Sequence, residues 1–148
     1  NPKAKGLKFG KIFKISNKVF NYKNKIIAEK KIISEIKNKK IKLICLAGFM
    51  RILSKEFIKS FKGKILNIHP SLLPKYKGMN THQRAISNRE KYTGCTVHFV
   101  NSRLDSGKII LQKKVKISNN DTAKSLAKKI LIQEHKLYPK AIRQVISP

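Results

Sequence analysis

The run Ile41-Lys42-Leu43-Ile44-Cys45-Leu46-Ala47 is apolar at all but one position and has the length of a strand, not a helix. A strand that is apolar on both sides must be covered on both faces, the usual situation of strands in α/β sheets. The flanking segments fit that frame. Residues 24–38 place Ile26, Ile33 and Ile36 among Lys and Glu as an amphipathic helix does, and residues 12–15 (IFKI) read as a short strand. Downstream, a short helix is expected at about 55–61, then the strand KILNIH. The loop HPSLLPKYKG follows, where Pro70 and Pro74 forbid regular structure. Asn80 is expected to cap a helix over THQRAISN. CTVHFV puts Cys95, Val97 and Phe99 on one face and Thr96, His98 and Val100 on the other; IILQKKVKI resumes strand character after NSRLDSG. Asp121 is expected to cap a final helix reaching about Val145, which Pro139 should kink or end. No repeat, heptad array or low-complexity linker is present.

With 148 residues, 41% hydrophobic content, 7 Gly and 5 Pro, residues 1–148 read as one globular domain. The first residue is Asn1 and the only methionines are Met50 and Met79, so the chain reads as a fragment. No apolar run approaches the roughly 18 residues of a membrane span. Cys45 and Cys95 lie in apolar, strand-like stretches without zinc-site spacing; buried, reduced thiols, no metal and a cytoplasmic location are expected. The net charge of +28 invites a nucleic-acid reading. Of the 35 Lys and Arg only five are Arg, however, and the lysines are spread from end to end. Compositional drift toward Lys, Ile and Asn accounts for the charge as well as a polyanion surface does, and no specific nucleic acid is expected as a partner.

Asn67 and His69 are two apart on a strand and leave the same face, so an amide donor and an imidazole share one space. Such a pair can stabilise a developing oxyanion and move a proton. Asp105, one of only two Asp, lies in the loop SRLDSGK between two strands. Beside an imidazole a carboxylate favours the charged ring; taken alone, Asp105 reads first as a turn residue bonding its own backbone. His98 reads as a core histidine or a supporting one, and His82 and His135 as solvated or helix-packing. Glu134 either pairs with a cation of its own helix or grips a ligand.

In order and spacing, LAGFMRILS, GKILNIHPSLLPKYKGMNTHQRAI, YTGCTVHFV, LDSGKIILQ and LIQEHKLYP closely resemble the glycinamide ribonucleotide formyltransferase family of purine synthesis, over about residues 20–145. The resemblance implies a Rossmann-like α/β fold, an open, mostly parallel sheet with helices on both faces. It implies formyl transfer from 10-formyltetrahydrofolate to the amine of glycinamide ribonucleotide, without a metal, in a monomer or homodimer that binds small molecules. Asn67, His69 and Asp105 would form the catalytic set. Asn67 and protonated His69 would stabilise the oxygen of a tetrahedral intermediate while Asp105 tunes His69. Met50, Arg51, Ile52 and Leu53, with Asn67 and Lys25, would bind the folate; Gly48 and Glu134 would contact the nucleotide substrate.

The chain departs from the family at its front, where members begin with a strand and a Gly-Ser-rich phosphate loop; the first strands and that loop are expected to be missing, leaving a hydrophobic sheet edge. Methionyl-tRNA formyltransferase and formyltetrahydrofolate deformylase share the Asn-x-His and LD-x-G elements, but THQRAI and KYKG favour the ribonucleotide enzyme. An inactive, basic nucleic-acid-binding remnant is the alternative from another class.

Overall fold

The computed structural model describes residues 2–147. Four strands, Leu43–Leu46 (β1), Lys64–His69 (β2), Tyr92–Phe99 (β3) and Ile109–Lys116 (β4), form one open sheet in sequence order. β1 and β2 are parallel, and the helix Lys55–Ser60 (α3) lies on the connection between them. β2 and β3, and β3 and β4, are antiparallel. The architecture is α/β as expected, but the described sheet is mixed rather than mostly parallel. The cause is the route after β2: loop 70–80 and the helix Thr81–Ser87 (α4) return the chain in the opposite direction, and loop 100–108 turns it back again.

Helices cover both faces. On one, Cys95 and Val97 of β3 pack with Leu126, Ile130, Leu137 and Ala141 of the helix Ala123–Ile146 (α5). On the other, Ile65 of β2 meets Phe57 and Phe61, Leu53, and Ile36 of the helix Lys25–Asn38 (α2). The Tyr138 hydroxyl clips α5 to the sheet by sharing its proton between the carbonyls of Leu46 (2.9 Å) and Leu66 (3.2 Å).

Several local expectations change. Residues 12–15 form no strand: Gly6–Ile12 is a helix (α1) that buries nothing, and Ile12, Phe13 and Ile15 are exposed. Ile26 is 67% exposed; the buried stripe of α2 starts with Ala28 and Glu29 and continues to Ile36. Cys45 is exposed because β1 is an edge strand, whereas Cys95 is buried; both thiols are free. Asn80 precedes α4, but in a left-handed conformation (φ 56°) and with no side-chain cap. Thr122, not Asp121, caps α5, through a reciprocal pair of bonds with Ser125. Asp121 braces that cap by accepting from the Ser118 amide, Ser125 Oγ and Lys129 Nζ. Pro139 does not end α5. It faces solvent, where the carbonyl that loses its intrahelical partner can be hydrated.

These contrasts set a graded expectation for stability. Leu126→Ala, at a fully buried position, should cost about 2–5 kcal/mol and Thr122→Ala about 1 kcal/mol. Phe13→Ser on the exposed segment should stay within about 0.5 kcal/mol of the parent, all three read by denaturant unfolding.

Candidate active site

The register of β2 brings the polar residues together. Asn67 lies beside Leu46 of β1 on one side and His98 of β3 on the other, and His69 lies beside Thr96. Residues directly opposite in neighbouring strands share a face, so Asn67, His69, Thr96 and His98 all project from the side that carries Ile65, away from α5.

Thr96 secures the loop that follows β2. Its Oγ1 donates to the Ser71 carbonyl (2.6 Å) and accepts from the Leu73 amide (3.1 Å) and Gln112 Nε2 (2.8 Å). Gln112 Nε2 also reaches the Leu73 carbonyl (2.9 Å). With the start of the loop fixed, its later part folds back over His69, and the Tyr76 carbonyl accepts from His69 Nε2 at 2.8 Å.

Asp105 arrives from the loop between β3 and β4 with a left-handed backbone (φ 42°). Asn101 Oδ1 shapes this loop by accepting from the Arg103 amide (2.9 Å) and Ser106 Oγ (3.1 Å). Gly107 allows the loop to close: a Cβ there would stand 1.7 Å from the Phe99 carbonyl oxygen. Asp105 Oδ2 lies 3.3 Å from His69 Nδ1 and accepts the Gly78 amide at 2.9 Å, with both side chains of the His–Asp pair buried. His69 is therefore flanked by two acceptors, a carbonyl on Nε2 and a carboxylate on Nδ1.

His98 is the fourth member. Its Nδ1 donates to the Phe99 carbonyl (2.8 Å), which leaves Nε2 as an acceptor for Asn67 Nδ2 at 3.4 Å. Burial holds the His98 pKa below the ordinary histidine value, and the charge of His69 adds to that, against opposing effects of the Phe99 carbonyl and Asp105. His98 thus serves as a neutral support that fixes the Asn67 amide, with Asp105 Oδ1 3.7 Å from its Nε2. Of the two roles the sequence allows His98, core or supporting, cross-strand pairing with Asn67 selects the second.

The remaining candidates are distributed. The segment Gly48–Leu53 leaves the carboxyl end of β1, next to Asn67 by register. Gly48 takes φ 63°, and Met50 (83%), Arg51 and Ile52 are exposed. Leu53 turns inward (7%) into the core with Phe57, so it offers a ligand backbone at most. Glu29 of α2 accepts the Ser54 amide (3.2 Å), and Tyr22 packs edge-on to Phe49 beneath the Arg51 guanidinium. Lys25 is exposed at the start of α2 and makes no hydrogen bond or ion pair with the Asn67–His69–Asp105 group. Glu134 stands on α5, which packs on the opposite face of the sheet. It has no ion-pair partner among the described residues, and burial raises its carboxyl pKa. His82 on α4 is half-buried, with its Nδ1 lacking a partner; burial and then the His69 charge lower its pKa. Tyr76 and Gly78, whose backbone groups hold the His–Asp pair, were not singled out from the sequence, since main-chain donors and acceptors leave no side-chain signature.

The half-buried amide and the buried imidazole and carboxylate lie at the carboxyl end of the parallel pair, where open α/β sheets place their ligands. Comparison with known proteins narrows the class. Residues 1–142 match the formyl transferase family. The chain is 43% identical over 143 residues to phosphoribosylglycinamide formyltransferase of Haemophilus influenzae, covering 95% of this chain and 68% of that one. It is 45% identical over 126 residues to the human trifunctional purine biosynthetic protein adenosine-3, of which it spans 12%. The crystal structure of phosphoribosylglycinamide formyltransferase from Bacillus halodurans superposes with a TM-score of 0.92 at 35% identity, covering 99% of this chain and 77% of that one. The chain belongs to the formyl transferase family.

The neutral state of His98 has a consequence for acid stability. Its folded-state pKa lies below the unfolded value of 6.5, so its contribution is complete above that pH and is lost as pH falls through the lower folded-state value. His98→Gln, which cannot titrate, should therefore lose less of its melting temperature than the parent between pH 7 and pH 5. Identical slopes would show that His98 is not buried in the neutral form.

Proposed function

We propose that this chain transfers a formyl group from 10-formyltetrahydrofolate to the amino group of glycinamide ribonucleotide. The observation that carries this reading is the convergence of Asn67, His69 and Asp105 at one sheet end, within a formyl transferase. The names of the relatives support the ribonucleotide as acceptor over an aminoacyl-tRNA, and over water in a deformylase.

The roles follow from the donors available. With one Asn67 N–H directed at His98, the other remains for the formyl oxygen as it gains negative charge when the amine attacks. His69 carries its Nε2 proton against the Tyr76 carbonyl; a substrate oxygen entering beside Asn67 exchanges with that carbonyl for the same N–H. Asp105 keeps the ring in plane from the Nδ1 side, so as the bond from the formyl carbon to the folate nitrogen breaks, Nε2 gives its proton to that departing nitrogen, and the proton shed by the attacking amine restores the ring. The exposed apolar surface of Met50 and Ile52, next to Asn67 by register, suits the flat ring of the donor, with backbone groups of residues 50–53 free for its polar edge. Gly48 and Glu134 are assigned to the nucleotide: a partly buried carboxylate with no ion-pair partner among the described residues suits the hydroxyls of a ribose.

Asn67→Ala should lower kcat by about 10²–10³-fold, some 2.7–4 kcal/mol of transition-state stabilisation, with little change in melting temperature. The assay is formation of the formylated ribonucleotide from the two substrates. Absence of that product with the parent chain, under conditions where the chain is folded, overturns the assignment.

The dispersed lysines add a kinetic expectation, since both substrates are anionic. kcat/KM should fall about 10-fold as ionic strength is raised from roughly 0.01 M to 0.15 M, with kcat nearly unchanged. A salt-independent kcat/KM would remove any steering role from the charge.

A further inference from the structure

The two backbone groups that hold the His–Asp pair, the Tyr76 carbonyl and the Gly78 amide, belong to a segment the chain does not favour. Tyr76 (φ 55°), Gly78 (φ 77°) and Asn80 (φ 56°) are all left-handed, and two of the three are not glycine. L-residues with a side chain rarely adopt that conformation, so the surroundings must hold it.

One side chain touches the segment at three points. Arg84 on α4 donates from Nη1 to the Lys77 carbonyl (2.7 Å) and the Met79 carbonyl (3.3 Å), and its guanidinium lies over the Tyr76 ring, 5.1 Å from the centroid. The far end of that ring is pinned as well: the Tyr76 hydroxyl donates to Glu90 Oε1 (2.9 Å) and accepts from Asn88 Nδ2 (2.9 Å). Arg84 is itself well based, because Thr81 and Ala85 bury the adjoining side of α4. We infer that Arg84 is a positioning residue, whose guanidinium closes segment 76–79 and so sets the Tyr76 carbonyl against His69 Nε2 and the Gly78 amide against Asp105 Oδ2. It touches none of the three polar residues itself. It acts on them through the main chain, and the planar fork suits the task, since one group stacks on a ring and bonds two carbonyls at once.

The catalytic consequence rests on the formyl-transfer reading above, whereas the structural one does not, and the test separates them. Amide hydrogen exchange is measured by NMR for Gly78 and, as a reference in the core of α5, for Ile130, in the parent, Arg84→Ala and Arg84→Lys. Arg84→Ala should speed exchange at Gly78 by about 10-fold or more while Ile130 stays within about 2-fold. Arg84→Lys, which keeps a donor but no stacking plane, should fall between the parent and Arg84→Ala. If Arg84→Ala does not fold, Arg84→Lys decides by the same local comparison. Unchanged exchange at Gly78, or loss of protection at Ile130 in step with it, overturns the inference and leaves Arg84 a general stabiliser or a bystander. In the enzyme assay Arg84→Ala should lower kcat about 10- to 100-fold with KM for each substrate within about 3-fold, because a misplaced ring costs the transition state more than the ground state. A kcat equal to or above the parent's contradicts positioning. A parent chain that transfers no formyl group sinks the reaction, and the exchange data still decide the role of Arg84.

Discussion

The structure depends on β2 being hydrogen-bonded on both edges with opposite polarity, parallel to β1 and antiparallel to β3. Both ladders must be in register for Ile65 to enter its cluster, and a slip of one residue would exchange the two faces of β2 and turn Asn67 and His69 toward the cluster under α5. That register is also what places Asn67 beside His98 and His69 beside Thr96. The energy that fixes the site is therefore mostly the energy of the sheet and its two apolar clusters, Ile65 with Phe57 and Phe61 on one face and Val97 with Leu126 and Ile130 on the other.

Around that frame, the polar groups are kept distinct by their partners. Two histidines lie close to one carboxylate, yet they take different roles. His69 faces an acceptor at each nitrogen, while His98 donates to the Phe99 carbonyl and accepts from Asn67. The chain has 35 Lys and Arg, and none of them pairs with Asp105 among the described residues. Burial explains this, since a lysine ammonium pays heavily to leave water while an imidazole pays less. The ion pairs that lysines do form among the described residues, Lys18 and Lys39 with Glu35, Lys75 with Glu90 and Lys129 with Asp121, keep the ammonium group in contact with solvent, where such pairs contribute little.

Left-handed backbone occurs at the turn residues Lys14, Lys40 and Arg89 and again around the polar cluster. Asp105, Tyr76 and Asn80 adopt left-handed backbone conformations, and Gly107 fills a position where any side chain would strike the Phe99 carbonyl. Well-packed strands and short loops tied down by Thr96 and Gln112 support that geometry. A site held by main-chain groups on strained loops is rigid where the loops are pinned and vulnerable where they are not, which is why residues outside the polar cluster influence it.

The sequence by itself determined the four strands of the sheet, the α/β class and the polar residues of the candidate site, because alternation, apolar runs and an Asn-x-His pair on a strand are local patterns. KILNIH and the CTVHFV stretch form strands as their residues demand, and Asp105 meets His69 as the family resemblance implied. Where the local pattern was weak or overruled, tertiary structure decided. IFKI joined no sheet, Cys45 ended on an exposed edge, Thr122 displaced Asp121 as the cap, and Pro139 stayed within its helix. Strand direction and the support of the site were likewise beyond local reach. The sheet is mixed because a loop and a short helix reverse the chain after β2. The Tyr76 carbonyl and Gly78 amide hold the His–Asp pair because loop 70–78 is folded back by bonds to β3 and β4. Every residue carries a backbone N–H and C=O of the same kind, so which of them reaches a given side chain is settled only by the path of the chain in space.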